Sequence, residues 1–246
     1  MPCASYTDPR LAAVYDPLNP PDIEDDFHLA LAGDNPRTIL DMGCSTGRLA
    51  SALAARGHRV AGVDPAPAML DIAQRRPGGD RITWVLSGAA ELSLDARFDL
   101  IVMTGHVFQV FLDDDDIRAA LSTLRRHLAT DGRITFATRN RAVEAWKSWV
   151  PEATRERIEV PGIGIVEVHY DIRSVEGALV TFETHFCFGP GDSAVTASTL
   201  RFMTQDEVAH ALGESGLDPV TWYGDWDGSP FHVDSPEIIV IARKGL

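Results

Sequence analysis

Short apolar runs separated by helical periodicities fill the first half of the chain. Thr38 to Asp41, Val60 to Asp64, Ile82 to Leu86 and Asp99 to Met103 predict strands. Between them, Arg48 to Arg56 (stopped by Gly57) and Ala66 to Arg75 (closed by Pro77-Gly78-Gly79) predict helices. Asp115 to Leu128 predicts a third helix, and Arg133 to Thr138 a fifth strand after an Asp131-Gly132 turn. Strands alternating with helices build parallel βαβ units. From about Arg157 to Phe202 the period falls to two, over Ile163 to Tyr170, Leu179 to Phe188 and Thr196 to Phe202. That change predicts an antiparallel insertion beside or over the parallel sheet. Gln205 to Ser215 returns to helix, ended by Gly216, and Asp218 to Tyr223 and Pro236 to Arg243 predict closing strands. The expected fold class is α/β, a doubly wound, mostly parallel sheet with an antiparallel β insertion. One domain is expected over 1–246, with the insertion at about 155–203.

Composition narrows the function classes. Apolar residues make up 45% of the chain and charged residues 24%, which fits a globular protein rather than a disordered one. No run of about 18 apolar residues occurs, so no membrane partner is expected. Met1 to Arg10 lack a basic start followed by an apolar stretch, and Cys3, Cys44 and Cys187 form neither a disulfide framework nor a zinc signature. A cytoplasmic location is the expectation. The net charge of −14 opposes a grip on phosphodiesters, so no nucleic acid partner is expected. An apolar edge on the β insertion would allow a homodimer.

Candidate chemistry concentrates at one strand–loop–helix junction, Asp41-Met42-Gly43-Cys44-Ser45-Thr46-Gly47-Arg48. Small residues let the backbone approach a ligand, and a helix start offers free N–H groups to an anion. Such a loop can hold a dinucleotide, a nucleotide phosphate or the methionine end of S-adenosylmethionine. The dinucleotide fingerprint needs glycines at relative positions one, three and six, which here are Gly43, Ser45 and Arg48. Only the first fits, which weakens an NAD-type nucleotide-dependent oxidoreductase. Asp64 ends the second strand 23 positions after Asp41. A carboxylate there can accept from both ribose hydroxyls, and it can equally cap the helix that begins near Pro65.

This loop resembles the first motif of class I, Rossmann-like S-adenosylmethionine-dependent methyltransferases of the bacterial small-molecule type. Asp41, Gly43 and Gly47 match it, and Ser45 stands where a third glycine is usual, a replacement that fits if its φ is below zero. The resemblance implies S-adenosyl-L-methionine as cofactor and S-adenosyl-L-homocysteine as product. It assigns the cofactor loop to Asp41, Gly43, Cys44 and Gly47, ribose to Asp64, and the flanks of adenine to Pro65 and Met69. Gly88 occupies the place of the family's third-motif Asp, so backbone groups around Ala89 and Ala90 are expected at adenine. The segment 1–35 is expected to cover the cofactor, with Tyr15 in contact. Thr104 and His106 follow the fourth predicted strand, and ligands of open α/β sheets sit beyond the carboxyl ends of the strands.

Methyl transfer from a sulfonium is a direct displacement. Alignment can supply about 7–11 kcal/mol of the barrier, and a general base typically about 10²–10⁴-fold. His106 is the candidate base, with a strand-end histidine bonded to backbone as the alternative. The acceptor is expected to be a small molecule methylated on N or O; a non-catalytic S-adenosylmethionine-binding protein would keep the loop and need no acceptor pocket. His169 and His185 either face a substrate cleft or lie half-exposed on strands. Trp222, Tyr223, Trp226 and Phe231 either line a pocket for a cationic or aromatic acceptor or pack near the last strands. Asp113 to Asp116 read as a helix start rather than a metal site, because successive carboxylates there complement the helix dipole.

Overall fold

The computed structural model describes residues 3–245; Met1, Pro2 and Leu246, the ends of the expected 1–246 span, lie outside the described residues. Seven strands form the main sheet: β1 (Thr38–Met42), β2 (Arg59–Asp64), β3 (Thr83–Leu86), β4 (Phe98–Met103), β5 (Leu128–Arg139), β10 (Leu217–Tyr223) and β11 (Glu237–Lys244). Their order is β10-β11-β5-β4-β1-β2-β3. The first five strands pair in parallel, while β11 runs antiparallel to β5 and to β10. This is the doubly wound arrangement expected, with the two closing strands at one edge.

Alternation along each strand explains the two helical layers. Ile39, Val60, Leu100 and Val102 face one side, where Ala32 of α4 (Ile23–Ala32) and Leu49, Ala50 and Leu53 of α5 (Arg48–Ala55) cover them. Leu40, Val63, Ile101, Ile134 and Val240 face the other side, against α7 (Asp114–His127) and α9 (Gln205–Glu214). Both faces are dry, which is why these strands read as nearly unbroken apolar runs. Asp113 caps α7 by accepting from the Asp116 amide at 2.8 Å, Asp114 pairs with Arg201 and Asp115 with Arg118. The acidic run is a helix start.

The expected Asp131-Gly132 turn is instead a bulge inside β5, since pairing with β4 slips from Phe98↔Leu128 to Leu100↔Arg133. A Cβ on Gly132 would lie 2.6 Å from the Phe98 carbonyl oxygen, so glycine is needed for that close approach.

A second, four-stranded antiparallel sheet contains β6 (Glu156–Val160), β7 (Gly164–Glu176), β8 (Leu179–Gly189) and β9 (Asp192–Arg201) in that order, preceded by the single turn α8 (Pro151–Thr154). One face of it carries Val166, Val168 and Phe186, packed on Leu11 and Val14. Those two residues belong to a run of short helices, α1 (Ala4–Thr7), α2 (Pro9–Ala12) and α3 (Tyr15–Leu18). The same run presents Ala12 and Tyr15 to Ala66, Ala68 and Met69 at the start of α6 (Pro67–Gln74). Further along the same face, Val180, Ile172 and Leu200 pack with Trp146, Trp149 and Phe202. The N-terminal helices therefore bridge the second sheet and the carboxyl end of β2. No described helix is long and apolar enough to cross a membrane.

Candidate active site

The loop after β1 is built by its neighbours. The Gly43 and Cys44 amides both donate to the Val63 carbonyl, at 2.7 and 3.0 Å, tying the loop to β2. Gly43 has φ +77, and a Cβ there would meet Val107 at 2.5 Å. Gly47 has φ +72 at the N-cap of α5, and its missing side chain makes room for the Trp84 ring and Ala73. Both glycines thus turn their α-carbons toward protein, which leaves their backbone groups for a ligand. Ser45 corrects the expectation of a negative φ: it sits at φ +48, in the left-handed region where glycine costs nothing. His106, at φ +58 after β4, is strained in the same sense. Such residues gather at working sites because surrounding structure must hold them there.

Two carboxylates lie beneath this loop. Asp64 accepts from the Ser45 amide at 2.9 Å with Oδ2 and from the Ala66 amide at 2.8 Å with Oδ1. It therefore shapes the loop and caps the turn into α6, while each oxygen retains a lone pair for a ribose hydroxyl. Burial raises its pKa, and the two amides draw it back. Asp41 is 1% exposed, and neither of its oxygens has a hydrogen-bond partner among the described residues. Burial, with the charge of Asp64 added, pushes its pKa up to about 7; the Ala50 amide opposes this without reaching hydrogen-bond geometry. An orphaned buried carboxylate beside a second one is suited to a cationic ligand, and S-adenosylmethionine carries a sulfonium and an ammonium. Because Asp41 is sealed, its effect on a ligand in this conformation is electrostatic.

The N-terminal run is clamped over the loop. Arg76 donates from Nε to the Thr46 carbonyl at 2.5 Å and from Nη2 to Asp16, which also accepts from the Thr46 hydroxyl at 2.6 Å. Arg48 donates to the Asn19 carbonyl and pairs with Asp25 at 3.0 Å. Tyr15 lies under this cover, edge-on to Tyr6 with centroids 6.2 Å apart, and its hydroxyl is 3.7 Å from where a Cβ on Gly105 would lie. Burial raises the Tyr15 pKa and keeps the phenol neutral.

Beyond β4 the chain turns at Thr104 and Gly105, whose amide donates to Glu24 Oε1 at 2.9 Å. His106 follows, with Nε2 at 3.0 and 2.9 Å from the two oxygens of Glu237, the first residue of β11. A carboxylate at Nε2 selects the tautomer protonated there, which leaves the Nδ1 lone pair free. Among the described residues no protein group bonds to Nδ1. His106 is thus bonded to a side chain and not to backbone.

Other expected residues lie elsewhere. Pro65 is exposed, but Met69 is 0% and Ala89 6% exposed, so neither offers surface to adenine in this conformation. Ala90 is exposed, with its carbonyl taken by the Thr123 hydroxyl at 3.1 Å. His169 and His185 are cross-strand partners stacked at 4.6 Å on the face of the second sheet opposite Val168 and Phe186, so they do not face the cleft. Tyr223 and Trp226 pack edge-on against Phe27 of α4, and Trp222 packs against the main core, so these three hold the last strands and α4 in place. Sequence reading missed Glu237, Glu24 and Arg139. A cavity of ≈ 490 Å³ lined by Arg37, Asp99 and Arg133 opens at the opposite, amino end of the strands and belongs to none of this chemistry.

An open sheet in this order, with its candidate ligand groups beyond the carboxyl ends of β1, β2 and β4, defines a Rossmann-like α/β protein. Comparison with known proteins narrows the class. Residues 39–132 match the family model described as a methyltransferase domain. The cypemycin N-terminal methyltransferase of a Streptomyces species is 32% identical over 96 residues, 39% of this chain and 39% of that protein. In this and the next two curated relatives, the chain spans 39%, 41% and 46% of their own length. The CcbJ methyltransferase of Streptomyces caelestis superposes with a TM-score of 0.77 over 92% of this chain and 91% of its own, at 20% identity. An S-adenosylmethionine-dependent methyltransferase of Clostridium acetobutylicum superposes equally well, at 0.77 over 96% and 98%, with 17% identity. Residues 39–132 are thus similar to a methyltransferase domain, and the chain as a whole shares its Rossmann-like fold with these solved methyltransferases.

Proposed function

We propose that the protein moves a methyl group from S-adenosylmethionine to an N or O atom of a small-molecule acceptor by in-line displacement. The observation that carries this reading is the His106–Glu237 pair, with bonds of 3.0 and 2.9 Å, at the same sheet end as Asp41, Gly43 and Asp64. When bound, S-adenosylmethionine supplies an electrophilic methyl carbon on a positive sulfur. The loop amides around Gly43, Cys44 and Gly47 and the Asp41 charge would hold its methionine end, and Asp64 its ribose. Tyr15 and Thr104 would flank its reactive side, and the exposed Pro65 and Ala90 its adenine. The N-terminal run, locked by Asp16, Thr46 and Arg76, excludes water from above.

His106 Nδ1 takes the acceptor's proton as the nucleophile forms its new bond. Glu237 keeps the ring in place and offsets the imidazolium charge, as a carboxylate behind a catalytic histidine does. An amine arriving neutral would need only the positioning. One domain over 1–246, with a covering segment at 1–35 and an insertion at about 155–203 that walls the acceptor, is part of this proposal. The −14 net charge supports a partner that is not nucleic acid, and a non-membrane partner and a cytoplasmic setting are proposed with it from the lack of a long apolar run and of a cysteine framework. Transfer of label from methyl-labelled S-adenosylmethionine into a metabolite extract tests the reading. Label should appear in small molecules with wild type and fall sharply with His106→Ala; no label above background with folded wild type would overturn it.

A further inference from the structure

Arg139 ends β5 and is half-buried, yet its charge has no ion-pair partner among the described residues. Nη1 donates to Gln109 Oε1 at 3.0 Å, while Nε and Nη2 donate to no described protein group. The residue directly across the antiparallel ladder is Glu237, whose position would ordinarily neutralise it. Both Glu237 oxygens are instead held by His106, and Glu24 is engaged by the Gly105 amide. The surroundings desolvate the guanidinium and lower its pKa, partly offset by the charges of Glu237 and Glu24. A cation kept in such a place without a partner is costly unless something else pairs with it.

Donors stand around it as well as the two carboxylates, Glu237 and Glu24. The Trp149 ring stands 5.3 Å from the guanidinium carbon and limits its swing. Tyr6 and Tyr170 lie within its electrostatic reach, and neither hydroxyl bonds to a described residue. Burial raises the pKa of both phenols, so they remain neutral O–H donors. Tyr6 nevertheless keeps 37% of its surface exposed, so its hydroxyl is open to a ligand from outside.

We propose that Arg139, with the Tyr6 and Tyr170 hydroxyls, binds an oxyanion, a carboxylate or a phosphate, carried by the methyl acceptor. A planar guanidinium fork matches either group through paired N–H donors. The site gives the acceptor two handles: its anion on the Arg139 side and its nucleophile on the His106 side. That this anion belongs to the acceptor rests on the methyltransferase reading; the oxyanion site itself does not.

The test is a titration of the full-length, ¹⁵N-labelled protein followed at the Arg139 Nε–H signal. That signal is assigned by its loss in Arg139→Lys or, should that variant fail to fold, by its proximity to the Trp149 ring. Sodium acetate and inorganic phosphate are added separately, with sodium chloride at matched ionic strength as control. A saturable shift with acetate or phosphate is expected, at a midpoint raised severalfold in Tyr170→Phe. The probe that saturates at lower concentration identifies a carboxylate or a phosphate handle. A response to both that only tracks ionic strength, as chloride does, overturns the proposal. So does a saturable response of the protein that survives unchanged in folded Arg139→Lys. Calorimetry with S-adenosylhomocysteine on the same sample separates the two readings. Its binding without an oxyanion response removes this inference alone, whereas an oxyanion response without its binding removes the methyltransferase reading alone.

Discussion

Asp41→Asn removes a carboxylate that burial has moved from an ordinary 3.8 up to about 7. Below about pH 4 the group is protonated in both folded and unfolded chains and carries no penalty. Between about pH 4 and 7 the folded chain retains a proton that the unfolded chain has lost, so stability falls as pH rises through this window and levels off above it. A rise of about three units amounts to ~4 kcal/mol of destabilisation at full ionisation, at 1.36 kcal/mol per unit. Asparagine escapes this cost at every pH, though its amide meets the same lack of partners as the protonated acid. The stability of Asp41→Asn relative to wild type should therefore rise by about 2 kcal/mol between about pH 5.5 and 8, or about 4–8 °C in melting temperature for a chain of this size. Thermal and urea melts at the two pH values measure it. The same substitution should weaken S-adenosylmethionine binding about tenfold, ~1.4 kcal/mol, because the cation loses a buried countercharge. A stability difference that is destabilising and equal at both pH values would refute the reasoning, since Asp41 would then be a structural acid with an ordinary pKa.

The other predictions concern the base, the loop and the cover. Glu237→Gln should slow methyl transfer about 10²-fold while leaving S-adenosylhomocysteine affinity unchanged, and ¹⁵N spectra of wild type should show His106 protonated at Nε2; an Nδ1–H tautomer would exclude the assigned role. Ser45→Gly should stabilise the chain by up to ~1 kcal/mol in melts, and Ser45→Val should destabilise it by ~1–3 kcal/mol, because φ is +48 at that position. A double-mutant cycle on Asp16→Ala and Arg76→Ala should give a coupling of about 0.5–1 kcal/mol. Each of those single variants should be cut faster between α2 and α4 by a protease, and equal rates for variant and wild type would show that the clamp is not closed in solution.

The main sheet was legible because its strands are buried on both faces and punctuated by helices, so period and run length carried the information. Asp41 and Asp64 were readable from their places at strand ends. Charged Glu156, Arg157 and Glu159 concealed β6, whose exposed side chains break the expected alternation. Asp131-Gly132 has the composition of a turn, yet the pairing of β4 with β5 holds it in a strand as a bulge. The four-residue helices over the β1–α5 loop have no periodicity long enough to detect; what orders them is contact with β7, β8 and α6. Glu237 and Arg139 become neighbours only when β11 pairs with β5, across nearly 100 positions that local patterning does not span. His106 was visible as a strand-end histidine, but the carboxylate that fixes its free nitrogen was not.

Calorimetric titration with S-adenosylhomocysteine, beside a matched titration with NAD, tests the central claim most directly. The account predicts one S-adenosylhomocysteine bound per chain, lost or strongly weakened in Asp64→Ala, and no heat from NAD. Saturable binding of NAD with none of S-adenosylhomocysteine would contradict it.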